Sequence, residues 1–293
     1  MEQFVGLGVA LVTPFKDNKE VDFEGLGKLV EHQISNSVDY LVVQGTTGEV
    51  ATLTSKEKAE VLAFVIKKNN KRLPIVLGVG GNNTADVVVS LQELNTDGID
   101  GILSVSPYYN KPSQEGIYQH YKALSAATDL PIILYNVPGR TNSNILPETT
   151  IRIAKDFKNI IGIKEASGNL SQIMTLIENK PKDFLIISGD DDLAMPLLAC
   201  GINGLISVVS NAYPKRTADM IHAGLKGDFK LAKEKHYELF QFINAIFEDG
   251  NPSGVKYALS LMNICENYVR LPLVSVNVNT QEKLKELVIK IKS

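Results

Sequence analysis

The sequence predicts an α/β fold, a closed (β/α)8 barrel followed by a helical domain of about three helices. Three observations predict it. Short apolar runs recur along the chain, each followed by Gly, Pro, Ser, Thr or Asn and then by a segment of helical period. The runs number eight over about 225 residues, where a (β/α)8 barrel typically takes about 250. They are near-continuously apolar rather than alternating, as expected when both faces of a parallel sheet are covered.

In order, the predicted strands are Gly8–Thr13, Val38–Val43, Pro74–Val79, Ile99–Val105, Pro131–Asn136, Ile160–Lys164, Phe184–Ser188 and Gly204–Val208. The amphipathic segments that follow them are Phe23–Ser35, Ser55–Lys68, Thr84–Leu94, Glu115–Ala127, Pro147–Phe157, Leu170–Asn179, Asp192–Cys200 and Pro214–Leu225. Ser167 or Asn169 can cap the helix that starts near Leu170. A doubly wound open sheet is the alternative, but it usually has fewer strands, and no G-x-G-x-x-G follows the first one. After Gly227 the pattern changes. Phe229–Phe247, Ser253–Met262 and Gln281–Ile291 are helical in period, with a break and cap at Gly250-Asn251-Pro252-Ser253 and another break at Leu271-Pro272-Leu273. The expected division is residues 1–227 as a catalytic barrel and 228–293 as a helical domain.

Composition narrows the function classes. The chain has 293 residues, 22% charged and 44% hydrophobic, which is ordinary for a globular protein. A net charge of −3 gives no reason to expect a nucleic-acid partner. No apolar run is long enough to span a bilayer, and the N-terminal MEQFVGLGVALVTPF lacks the basic start and cleavage site of a signal peptide. Cys200 and Cys265 are far apart in sequence and are expected as free thiols. A cytoplasmic protein with no membrane partner is the expectation.

Barrel chemistry is built at the C-terminal ends of the strands. There the sequence places Gln44-Gly45-Thr46-Thr47-Gly48-Glu49, Gly80-Gly81-Asn82-Asn83, Ser106-Pro107-Tyr108-Tyr109-Asn110-Lys111-Pro112, Tyr135-Asn136-Val137-Pro138-Gly139-Arg140-Thr141, Lys164, Ser188-Gly189-Asp190-Asp191, and Ser210-Asn211. Each has a plain alternative: Thr46 and Thr47 as turn formers, Tyr135 as a half-buried aromatic, Arg140 as a solvated charge, Lys164 as a strand-exit residue that snorkels to water. Converging on one mouth, they favour a reactive Lys164. His32, His120, His222 and His236 fall in helices, and there is no H-E-x-x-H or Cys cluster, so neither a metal nor another cofactor is expected. Asp190, Asp191 and Asp192 disfavour phosphorylated substrates and are expected at a helix N-terminus, where the macrodipole favours them.

A lysine beside tyrosine and threonine suits Schiff-base chemistry. At an ordinary pKa of about 10.4, only about one lysine in 2,500 is neutral at pH 7, and burial shifts that balance toward the nucleophilic amine. Attack on a carbonyl gives an iminium, an electron sink that acidifies the adjacent carbon and yields an enamine. A tyrosine–threonine–tyrosine relay could shuttle the protons. Thr47 and the backbone after Gly45 suit a small keto-acid carboxylate, and the fork of Arg140 suits a second carboxylate. Alternation along the strand puts Gly162 and Lys164 on the interior face, with Ile161, Ile163 and Glu165 toward the helices. Gly162 should then leave room beneath the lysine, and Glu165 should not be its partner.

Four ordered motifs, GTTGE (Gly45–Glu49), SPYYNKP (Ser106–Pro112), YNVPGRT (Tyr135–Thr141) and GIKEASG (Gly162–Gly168), resemble the 4-hydroxy-tetrahydrodipicolinate (dihydrodipicolinate) synthase family of pyruvate-dependent class I aldolases. The similarity covers the whole chain, helical tail included. It implies a TIM barrel in which Lys164 forms a Schiff base with pyruvate and the enamine adds to L-aspartate 4-semialdehyde. It further implies Tyr135 as general acid/base, Thr46 and Tyr109 as relay, Thr47 and the Ile206 backbone as pyruvate contacts, Arg140 as holder of the semialdehyde carboxylate, and Gly189 as pocket lining. In this family the second relay tyrosine comes from a neighbouring subunit, so Tyr109 implies at least a dimer, and the usual assembly is a homotetramer, a dimer of dimers. N-acetylneuraminate lyases share the GxTGE loop and the lysine but not N-V-P-x-R-T, which leaves a sugar-acid aldolase as the alternative enzyme. A catalytically dead barrel would have no need for every relay residue. Inhibitor-sensitive members bind lysine at a dimer-interface pocket whose polar roles Asn82, Asp86 and Tyr108 can fill. Here, however, Val50 replaces a serine, and Ser55 and Lys58 replace histidines. A second ammonium would repel a lysine ligand, so weak or absent lysine inhibition is expected.

Overall fold

A computed structural model describes residues 1–292. In chain order the elements are β1 (Gly6–Ala10), α1 (Phe23–Ile34), β2 (Tyr40–Val43), α2 (Ser55–Asn69), β3 (Ile75–Gly78), α3 (Thr84–Gln92), β4 (Gly101–Val105), α4 (Gln114–Ala127), β5 (Ile132–Asn136), α5 (Pro138–Thr141), α6 (Pro147–Asp156), β6 (Ile160–Glu165), α7 (Leu170–Asn179), β7 (Leu185–Ser188), α8 (Ala194–Cys200), β8 (Gly204–Ser207), α9 (Pro214–Leu225), α10 (Phe229–Phe247), α11 (Ser253–Leu261) and α12 (Val278–Lys292). The eight strands are parallel and close in sequence order, with β8 returning to β1. All eight predicted strands are present, and so is the helical tail.

Strand alternation divides the buried apolar residues into two clusters. Ala10, Val42, Val76, Leu103, Ile133, Ile187 and Ile206 form one cluster and fill the barrel; their strand neighbours, such as Leu41, Ile102, Leu134 and Leu205, join the larger layer under the helices. Ile161 departs from the expectation. The register jumps between Ile132↔Ile160 and Ile133↔Gly162, so Ile161 is a bulge residue, and it packs with the interior cluster rather than toward the helices. The space beside Gly162 is taken as well, since a Cβ there would lie 2.8 Å from that of Leu185. The first strand also differs, ending at Ala10 instead of Thr13. Leu11 N still donates to Val42 O (3.0 Å), but Val12 N turns to Asn211 Oδ1 (3.1 Å) and the Thr13 hydroxyl to Gly48 O (2.7 Å).

The tail is not a separate layer. Phe242 and Ile246 of α10, Leu259 of α11 and Leu284 of α12 belong to the same buried cluster as Val30 of α1 and Leu198 of α8. Ser253 is the first residue of α11 and not its cap; its hydroxyl donates to Val274 O (2.8 Å). Asn169 does cap α7, accepting from Gln172 N at 3.1 Å. Both cysteines are free thiols, and no helix among the described residues is long and apolar enough to cross a membrane.

At the opposite end of the barrel from the motif loops, Asp39 ties β1 to α9. Its Oδ2 accepts from Leu7 N (2.7 Å) and pairs with His222 Nε2 (2.7 Å). The hydrogen bond to Asp39 raises the His222 pKa above its ordinary value, against the opposing effect of burial. A raised folded-state pKa means this pairing stabilises fully below pH 6.5 and is lost as pH rises through the folded value. Urea titrations across pH should therefore show the wild type ahead of His222→Asn below pH 6.5, with the gap closing at higher pH. A gap that stays constant with pH would exclude protonation as its cause.

Candidate active site

The site grows out of β6. Lys164 is in register with Tyr135 on β5 and Ile187 on β7, which sets all three on the interior side of the barrel. The lysine is 6% exposed, its Nζ stands 4.4 Å from the centre of the Tyr135 ring, and it belongs to no ion pair among the described residues. Gly189, just after β7, lies against the lysine stem: a Cβ there would come within 2.8 Å of Lys164 Cε and 2.7 Å of Ala166 Cβ. Glu165 points the other way, accepting from Asn136 Nδ2 (2.9 Å), Ser167 N (2.8 Å) and Gln172 Nε2 (3.2 Å). Burial pushes its carboxyl up, and those three hydrogen bonds oppose the rise.

Above the lysine opens a cavity of about 410 Å³, and Thr46, Thr47, Tyr135, Arg140, Lys164 and Gly189 all line it. Thr46–Gly48 form a single 3-10 turn, in which Thr47 is buried and accepts from Asn251 Nδ2 at 3.0 Å. Arg140 is carried at the rim by α5, a one-turn helix that starts at Pro138. The other expected residues stand elsewhere. The Ile206 side chain belongs to the barrel interior, and Val208, two residues on, reaches the cavity wall. Tyr109 is 88% exposed and outside the cavity of its own chain. Asn82 Nδ2 donates to Tyr108 O (3.2 Å), so these two meet near the start of α3, where Asp86 sits exposed in the first turn.

The acidic trio directly precedes the N-terminus of α8, as expected, but none of its side chains caps that helix. α8 starts at Ala194 with no side-chain cap. The buried Asp191 instead accepts from Ser207 Oγ (2.5 Å), Val208 N (2.9 Å) and Val209 N (3.3 Å), locking the end of β8 to the end of β7. Asp190 lines the cavity, and its Oδ2 is buried without a hydrogen-bond partner. Burial first, then the charge of Asp192, push it up to about 6, and the nearby Lys164 charge opposes this. Sequence reasoning missed the cavity roles of Asp190 and Asn251. The signal for Asp190 was its position directly after Gly189; for Asn251, 204 residues from Thr47, there was none.

An unpaired, buried lysine at the end of β6, under hydroxyl, tyrosyl and guanidinium groups on a (β/α)8 barrel, defines a class I, Schiff-base-forming aldolase. Residues 3–291 match the model of the dihydrodipicolinate synthetase family. The 4-hydroxy-tetrahydrodipicolinate synthase of Parabacteroides distasonis is 53% identical, the match spanning 96% of this chain and 95% of that one. The crystal structure of dihydrodipicolinate synthase from Thermotoga maritima superposes with a TM-score of 0.96 at 41% identity, covering 99% of both chains. A structure described as the first monomeric dihydrodipicolinate synthase variant also scores 0.96, at 41% identity over 99% of this chain and 97% of that one. The chain belongs to the dihydrodipicolinate synthetase family. It is a lyase of the class I aldolase type, condensing pyruvate with L-aspartate 4-semialdehyde in lysine and diaminopimelate biosynthesis.

Asp190 generates a prediction. It loses its proton as pH rises through about 6, and above that pH its anion shares the cavity with Lys164. Asp190→Asn should shift or remove the acid limb of the kcat/KM profile for pyruvate near that pH. A profile superimposable on the wild type would rule out this carboxyl as the titrating group.

Proposed function

We propose that the side chains of the mouth divide the reaction as follows. The single observation that carries this reading is the unpaired, buried Lys164 sharing one cavity with Tyr135, Thr46, Thr47 and Arg140. Pyruvate lies with its carboxylate on Thr47 and the adjoining backbone, its carbonyl carbon toward Lys164 Nζ, and the Ile206 carbonyl beneath. The amine adds to that carbon, and Tyr135 supplies the proton with which the carbinolamine oxygen leaves as water. The resulting iminium loses a methyl proton to give the enamine. Arg140 holds the carboxylate of the semialdehyde at the rim, while the enamine carbon attacks the aldehyde and the new alkoxide takes a proton from the relay. Cyclisation follows when the amino group of the adduct attacks the iminium carbon and expels Lys164. Gly189 keeps the wall close to the lysine without filling the space above it.

Borohydride reduction with pyruvate present should trap an adduct that peptide mapping places on Lys164. An adduct on any other lysine would overturn this assignment. Arg140→Ala should leave trapping intact while lowering kcat/KM for the semialdehyde by roughly tenfold to a hundredfold, the worth of hydrogen bonds between charged groups.

Tyr109 completes the relay Tyr135–Thr46–Tyr109 from a second copy of the chain. Its 88% exposure and its place outside its own cavity support that reading. The assembly is then at least a dimer, and we place it as a homotetramer, a dimer of dimers, in the cytoplasm. Mixing inactive Tyr109→Phe and Lys164→Ala chains should restore activity, because a mixed dimer holds one site with an intact lysine and the partner's intact tyrosine. No recovery after subunit exchange would place Tyr109 in its own chain's site or outside catalysis. Residues 1–227 act as the catalytic barrel and 228–293 as the appended helical domain. Asn82, Asp86 and Tyr108 form the remnant of a lysine pocket; with Val50, Ser55 and Lys58 beside it, inhibition by L-lysine is weak or absent. Strong inhibition at sub-millimolar L-lysine would refute this.

A further inference from the structure

The turn that presents Thr46 and Thr47 is held by residues more than 200 positions away. Glu49 follows the turn with a left-handed backbone (φ 52°) and is 4% exposed. A buried carboxylate needs partners, and every partner it has comes from the tail: Lys256 Nζ reaches Oε1 at 2.5 Å, and Arg270 N donates to Oε2 at 3.0 Å. Lys256 is fully buried on α11; it also donates to Tyr268 O (2.8 Å) and sits 4.1 Å from the centre of the Phe15 ring. The Arg270 side chain grips the same stretch a little further on, donating to Thr52 O (2.9 Å) and pairing with Glu57. At the other side of the turn, Asn251 Nδ2 donates to Thr47 Oγ1. A hydroxyl that accepts from Asn251 keeps its own hydrogen free to donate to another acceptor. The turn is thus fixed in place by Lys256, and its hydroxyl is oriented by Asn251.

We infer that the helical tail is a working part of the catalytic centre, with Lys256, acting through Glu49, and Asn251, acting through Thr47, as positioning residues for the carboxylate-binding turn. Neither the strand-end chemistry nor the relay uses the Lys256–Glu49 pair. Its complete burial is explained if the turn must not move. The inference rests on the reading that Thr47 binds the pyruvate carboxylate, and the experiment separates the two.

Thr47→Val, Asn251→Ala and Lys256→Met are compared for KM of each substrate, kcat, borohydride trapping against pyruvate concentration, and thermal midpoint. Thr47→Val should raise the KM for pyruvate roughly tenfold or more, the loss of a hydrogen bond to a charged group. Asn251→Ala and Lys256→Met should raise it in the same direction and weaken trapping, with the KM for the semialdehyde within about twofold of wild type. A purely structural role would lower the thermal midpoint and the active fraction while leaving the KM values of the folded enzyme alone, and that result would overturn the inference. Lys256→Met leaves a buried carboxylate without its cation; should it fail to fold, Asn251→Ala, which leaves no charge unpaired, decides. If Thr47→Val leaves the KM for pyruvate unchanged, the assignment of the carboxylate site falls, and the inference falls with it. If Thr47→Val raises that KM and Asn251→Ala does not, the inference alone falls.

Discussion

A lysine head group taken out of water must be compensated by partners or left free to react, and among the described residues this chain buries two lysines. Lys256 shows the first solution. It is 0% exposed and receives a carboxylate, a carbonyl and a ring face, so its charge is met on every side the structure provides. Breaking such a buried pair by removing one member typically costs about 3–5 kcal/mol, whereas an apolar pair of the same volume is often neutral, so the pairing serves position more than stability. Lys164 shows the second solution. It is nearly as buried, at 6%, but faces an open cavity and the Tyr135 ring, and no carboxylate is bonded to it. The adjacent glutamate, Glu165, is turned outward and occupied by Asn136, Ser167 and Gln172. One lysine is spent on holding a loop, and the other is kept available for bonding.

Barrel closure makes this separation possible. Each strand side chain has either the interior or the helix layer as its environment, so residues one apart in sequence live in different chemistry. Lys164 and Glu165 are the clearest case. The same constraint explains the crowding around the lysine stem: Gly189 is needed where the β7 exit approaches it, and Leu185 fills the side of Gly162, so the amine can reach only upward into the cavity. Asp191 adds a second restraint, tying β7 to β8 through Ser207, Val208 and Val209 beside the cavity wall to which Asp190 and Val208 belong.

What could be seen in the sequence was what depends on local pattern. Apolar runs of strand length, helical periodicity and caps such as Asn169 depend on neighbours a few residues away, and the strand ends then place Thr46, Thr47, Tyr135, Arg140 and Lys164 at one mouth without further information. The residues that escaped depend on distance or on irregularity. Asn251 looked like a helix break because nothing near it in the chain mentions Thr47. Ile161 lies on the side opposite to the one that simple alternation predicts, because a bulge resets the alternation and leaves no mark in a run of isoleucines. Asp190 reads in sequence as one of an acidic trio, yet the three aspartates at the cavity differ: Asp191 is buried and bonded to Ser207, Val208 and Val209, Asp190 has a buried oxygen without a hydrogen-bond partner, and Asp192 is exposed.

The placement of charge in the cavity follows the course of the reaction. An iminium formed on Lys164 would carry a positive charge that the enamine derived from it does not. An ionised Asp190 therefore favours the iminium over the enamine, and a protonated one removes that bias. With its pKa pushed up to about 6 by burial and by Asp192, the carboxyl stands close to the point where either form is accessible near neutral pH. Arg140 stands at the rim, set apart from this exchange. A buried lysine outside any ion pair, an acid whose neutral form is within about a pH unit of neutrality, and an arginine kept at the edge would together let a positive charge form and disappear on one nitrogen without either state being trapped by its surroundings.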